Sequence, residues 1–155
     1  MRKIIDQMLA WILIGLMAVL VIDVLWQVAS RYVWSVPSSF TDEVAGFLLV
    51  WVGLLGAAYV AGSNGHLAID LLLQRTSNES KRRQIQLFIH VMIVLFALSV
   101  LVVGGVWLVY TRFYLDVTSA SLQINLGYVY SVLPISGLLT CYYAIDTIIQ
   151  IVRRK

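Results

Sequence analysis

Four apolar runs, each long enough to cross a bilayer, constrain this chain more than any other feature. They cover about residues 8–30, 44–62, 85–110 and 127–149. A helix rises ~1.5 Å per residue, so the runs are roughly 28 to 39 Å long, against a hydrocarbon core of ~30 Å. The third is the longest and is expected to tilt. Composition agrees: 61% of residues are hydrophobic and 12% charged, whereas a soluble domain carries about 25% charged residues. The expectation is an all-α membrane protein, a single four-helix transmembrane domain over residues 1–155. Two prolines and no Ser/Pro/Gly-rich stretch leave no linker for a second domain. Cys141, the one cysteine, lies in an apolar run and is expected to pack as a small apolar residue.

Basic residues orient the spans. Arg2 and Lys3 precede the first. Arg75, Lys81, Arg82 and Arg83 lie between the second and third. Arg153, Arg154 and Lys155 follow the fourth. These nine of the eleven Lys and Arg residues fall on one side, and Arg31 and Arg112 on the other. The bias predicts cytoplasmic termini and a cytoplasmic middle loop, and excludes a dual-topology protein. It also accounts for the net charge of +3 without nucleic acid. The start resembles a signal peptide, but its apolar stretch is too long and lacks a small-x-small cleavage site, so a retained anchor is expected. In the middle loop, Leu67 to Gln74 is expected to form a short amphipathic helix on the membrane surface. Thr76-Ser77-Asn78-Glu79 has the form of a capping box for the third helix. Arg75, Lys81, Arg82, Arg83, Arg153, Arg154 and Lys155 are expected to anchor on lipid headgroups.

The polar residues raise sharper questions. Asp42 and Glu43 stand at the mouth of the second apolar run, within Phe40 to Trp51. Ser39-Phe40-Thr41-Asp42 has the S-x-x-D form of a helix N-terminus, where negative charge meets exposed N–H groups. Glu43 is expected to bridge to Arg31 and fix the first two helices at a set separation. Asp23, Gln27 and Arg31 recur every four residues, on one face of the first helix. Asp23 lies inside the apolar run, where an ionised Asp costs ~2.5–3.5 kcal/mol near mid-bilayer. It sits ~12 Å along the axis from Arg31. It reads either as an ion or proton site or as a buried acid hydrogen-bonded to another helix; the second is favoured, because the other spans offer few converging polar groups.

Gly53, Ala57 and Ala61 follow the small-xxx-small rule, with Gly46 and Gly56 beside them. Such a face lets another helix approach closely, which drives association in lipid. Trp51 and Trp107 are expected as packing or interface anchors, and Pro134 as a kink in the fourth helix. There is no HExxH, no CxxC and no nucleophile–base pair at motif spacing, so neither an enzyme nor a metal or cofactor site is expected. His66 and His90 are the only basis for a haem, and a weak one.

Three segments carry a family resemblance: VIDVLWQVASRYVW, TDEVAGFLLVWVGLLGAAYVAGSNGHLAID and LQINLGYVYSVLPISGLL. In this order the chain resembles the small membrane subunit, the Q component, of tripartite ATP-independent periplasmic (TRAP) transporters. The resemblance covers most of the chain. It implies a multi-pass protein of the bacterial inner membrane, partnered by a large permease subunit (the M component) and a periplasmic substrate-binding protein (the P component). The large subunit of such systems carries the sodium and substrate sites and moves as an elevator. The cargo is an organic acid, such as a C4-dicarboxylate or a sugar acid like sialic acid. The small subunit is then a scaffold, with Asp42 and Glu43 as cap and clamp. The competing reading is a stand-alone proton-coupled exporter that uses Asp23.

Overall fold

A computed structural model describes residues 2–33, 39–62 and 79–153. The chain forms helices α1 (Arg2–Val33), α2 (Ser39–Gly62), α3 (Glu79–Phe96), α4 (Gly105–Tyr114), α5 (Leu126–Tyr130) and α6 (Val132–Arg153). A π-helical segment, Ala97–Gly104, joins α3 to α4. Four helical stretches are long and apolar enough to cross a membrane: Arg2–Val33, Ser39–Gly62, Lys81–Tyr114 and Leu126–Arg153. The first, third and fourth run past both ends of their apolar runs, and the second begins earlier than its run. A helix satisfies its own backbone, so polar turns such as Arg2 to Gln7 continue the ladder beyond the hydrocarbon. The third span has 34 residues, roughly 51 Å at helical rise, which requires tilt. The expected middle-loop helix, His66, Arg75 and the start of the capping box lie outside the described residues.

The spans pack in a row and not as a closed bundle. α1 lies on α2, α2 on α6, and α6 on α3 and the π-helical segment. The first and third spans make no substantial contact with each other. The fourth span is therefore the most buried and the third the least. The core joins Leu9, Leu55, Val132 and Tyr143, with Leu13, Trp51 and Leu139 around it.

The first helix shows why. Its less exposed side runs Leu9, Leu13, Leu16, Leu20, Asp23, Gln27, Ser30. The steps alternate four and three, the 3.5-residue repeat of a helix–helix seam. Asp23 and Gln27 lie in that seam, as their spacing suggested. Arg31 does not: the seam steps to Ser30, and Arg31, a further ~100° round the helix, is exposed.

Pro134 breaks the fourth span at its start. It cannot donate to the carbonyl of Tyr130, so α5 ends there and α6 begins after Ser131. The expected kink takes the form of this interruption at Ser131, just ahead of α6. Close helix contacts within the chain lie away from the small-residue candidates on α2. A Cβ added to Gly137 would lie 2.7 Å from Leu101 Cβ, and one added to Gly105 would lie 2.9 Å from Leu133 Cβ. Small residues thus bring the third and fourth spans together. Gly46, Gly53 and Gly56 on α2 have nothing within 4 Å of an added Cβ.

Candidate functional site

The polar side chains gather at the two ends of the helices. At the end that holds the α1–α2 connection, the acidic pair divides its partners. Asp42 lies in the first turn of α2, where the helix dipole favours a negative charge. Its Oδ1 accepts a hydrogen bond from Gln27 Nε2 of α1. Glu43 turns the other way. It accepts from the backbone N–H groups of Ala120 at 2.9 Å, Ser121 at 3.0 Å and Leu122 at 3.0 Å. Three successive N–H groups make a concave anion site, and a carboxylate in it receives charge-assisted bonds. The expected Arg31–Glu43 bridge is therefore not formed: the Glu43 oxygens are taken, and Arg31 makes no ion pair among the described residues.

The loop that receives Glu43 is rigid for local reasons. Ser119 N donates to Ile124 O at 2.8 Å and Leu126 N to Val117 O at 2.9 Å. Asp116 and Gln123 take left-handed backbone conformations, with φ of 47° and 55°. Asn125 caps α5 by accepting from Gly127 N at 2.8 Å, and donates to Asp116 Oδ1 at 3.1 Å. Ser121 and Ser39 hydroxyls meet at 3.1 Å. Trp51 Nε1 donates to Val129 O at 3.0 Å, so Trp51 joins α2 to α5 and belongs to packing within the chain.

At the opposite end the start of α1 meets the later turns of α6. Arg2 pairs with Asp146 at 2.8 Å and donates to the carbonyl of Gly62. Its guanidinium also lies 5.9 Å from the Tyr143 ring centroid. The Tyr143 hydroxyl donates to Asp6 at 2.6 Å, and Gln150 donates to Asp146 at 2.8 Å. Arg83 donates to the Val152 carbonyl at 3.2 Å and so caps α6. Lys81, Arg82 and Arg153 are exposed, whereas Arg154 and Lys155 lie outside the described residues.

Asp23 stands apart. Its Oδ2 is enclosed and has no hydrogen-bond partner among the described residues, so the expected bond from another helix is not made at that oxygen. His90 Nδ1 faces its own helix at Gln86 O, 2.8 Å away. No group of three or more His, Cys, Asp or Glu side chains that could hold a metal occurs among the described residues.

Of the candidates on α2, Gly46, Gly53 and Ala57 are exposed, while Trp51, Gly56 and Ala61 are half-buried. Sequence reasoning missed Ala120, Ser121 and Leu122, whose contribution is backbone. It also missed Asn125, although an Asn directly before Leu-Gly-Tyr-Val is a cap signal. In the sequence Arg2 is only a topology signal, yet it ties three helices.

The arrangement ties helices together. Asp42 joins α2 to α1, Glu43 joins α2 to the α4–α5 loop, and Arg2 joins α1 to α2 and α6. Comparison with known proteins gives this a context. The family described as tripartite ATP-independent periplasmic transporters, DctQ component, matches residues 20–154. The chain is also similar to the sialic acid TRAP transporter small permease protein SiaQ of Vibrio cholerae serotype O1. The two are 23% identical over 153 residues, covering 99% of this chain and 86% of that protein.

Proposed function

The chain belongs to the DctQ-component family of tripartite ATP-independent periplasmic transporters, and we propose that it is the fixed brace against which a large permease subunit works. It is a small, non-enzymatic transport subunit of a membrane. In the proposed setting it sits in the bacterial inner membrane with both termini in the cytoplasm. The large subunit carries substrate and sodium, and a periplasmic binding protein delivers an organic acid. The name of the Vibrio relative favours a sugar acid such as sialic acid over a C4-dicarboxylate.

The observation that carries the proposal is the use made of the acidic pair. Asp42 and Glu43 are both engaged inside the chain, to Gln27 and to the 120–122 backbone. A carboxylate that already accepts three backbone N–H bonds is a poorer ligand for a passing ion or solute. The row of spans supports the same reading, since it leaves α2 with a face of Gly46, Gly53 and Ala57 that none of the described helices covers. Such a face suits close approach by a helix of the large subunit.

The stand-alone exporter reading retains one supporting observation, the enclosed and unpartnered Asp23 oxygen. The test is assembly. Co-expressed with the large permease of its own system, the subunit is expected to co-purify as a stable complex in mild detergent. Purification of this chain alone, or as an oligomer of itself only, would favour the exporter.

A further inference from the structure

The third span carries an outer face whose chemistry is that of a lipid contact. It is the least buried of the four spans and lies at the end of the row. Near its loop end, Trp107, Tyr110 and Tyr114 are 72%, 62% and 76% exposed. They follow at three- and four-residue steps, so they stand on one side of α4. The Tyr110 and Tyr114 rings stack at 6.0 Å. Amphipathic rings at a helix end match the headgroup layer. At the other end of the span, Lys81 and Arg82 are exposed, which complements anionic headgroups.

The hydroxyls of Ser99 and Thr111 on this span are closed on their own helix. The Ser99 hydroxyl donates to Leu95 O at 2.7 Å and also reaches Phe96 O, where the helix widens into its π-helical segment. The Thr111 hydroxyl donates to Trp107 O at 2.8 Å. Lipid offers no hydrogen bonds, so a lipid-facing surface must satisfy its polar groups internally. The exposed residues here are otherwise bulky, Gly104 apart, whereas helix interfaces in membranes favour small ones. The exposed small residues of this chain concentrate elsewhere, as Gly15 and Ala18 of α1 and Gly46, Gly53 and Ala57 of α2.

We infer that the outer face of the third span is the edge at which the assembled transporter meets the bilayer. Its Lys81–Arg82 end meets anionic headgroups, and its Trp107–Tyr114 end lies in the opposite headgroup layer. The inference rests on the proposed function, since it assigns the large subunit to the α1–α2 side of the row.

The test uses oxygen accessibility of nitroxide labels in bilayer nanodiscs. In a Cys141→Ala background, Leu98→Cys and Val103→Cys report the third span and Val50→Cys reports α2. Each is measured in the small subunit alone and in its complex with the large permease. Labels at 98 and 103 are expected to keep their oxygen accessibility on assembly. A marked fall at these positions would overturn the inference, because a protein would then cover that face. Should labels in the π-helical segment disturb the helix, Val106→Cys reads the same outer face from α4. Co-purification reads the proposed function separately: a chain that forms no complex sinks that reading, and with it the inference built on it.

Discussion

Glu43 Oε2 lies 3.0 Å from the backbone nitrogen of Leu122, 79 residues further along the chain. With the N–H groups of Ala120 and Ser121 it closes a three-donor site that ties the start of α2 to the α4–α5 loop. An amide in place of the carboxylate loses the charge and turns one acceptor into a donor facing N–H groups. Glu43→Gln is therefore expected to lower the Tm of the purified subunit and to speed amide exchange at residues 120–122. Exchange at wild-type rates would show that the loop holds its shape without Glu43.

The same contact shows what was legible in the sequence. Four apolar runs gave the spans and their order, because hydropathy over about twenty residues is a direct record of the bilayer. The acidic pair also stood out. Its partners did not, since Glu43 is received by backbone groups that leave no side-chain signal. Arg31 seemed the natural partner because it closes the first span, a short connection away from the acidic pair, but the packed seam of α1 repeats every 3.5 residues and leaves Arg31 outside it. The small residues of α2 drew attention as a continuous motif, whereas the close contacts use Gly105 and Gly137, which lie far apart in sequence. Neither hydropathy nor spacing announces the π-helical segment. There Ala97, Leu101 and Gly105 advance by four, a step at which a regular α-helix overshoots by ~40° and a wider turn rotates less per residue.

Glycine substitutions separate the two surfaces. Gly137→Ala places a Cβ 2.7 Å from Leu101 Cβ, and overpacking of this kind costs about 1–3 kcal/mol. It is expected to lower the Tm of the subunit by itself. Gly53→Leu meets open space within the chain and is expected to leave that Tm unchanged. It should instead weaken recovery of the complex with the large subunit, about tenfold for each ~1.4 kcal/mol lost at the interface. A fall in Tm from Gly53→Leu would contradict the exposed placement of that face.

Tyr143 is fully buried, and its hydroxyl meets Asp6. Tyr143→Phe keeps the ring that fills the space at Gly62 and removes one hydrogen bond to a carboxylate, worth about 1.5–3 kcal/mol net. A drop in Tm is expected, with faster exchange of the first two turns of α1. Equal exchange there would mean that Arg2 and its partners hold the N-terminus unaided.

Asp23→Asn distinguishes a structural acid from a coupling acid. The amide keeps the shape and removes a charge that is costly in the membrane. Assembly with the large subunit and most of the uptake are expected to survive. Loss of gradient-driven uptake with assembly intact would make Asp23 a coupling group.

Uptake by reconstituted liposomes tests the central claim most directly. Three preparations are compared under an inward sodium gradient with the binding protein present: the small subunit alone, the large subunit alone, and the two together. Gradient-driven accumulation of an organic acid is expected only when both membrane subunits are present. Accumulation by the small subunit alone would contradict the account.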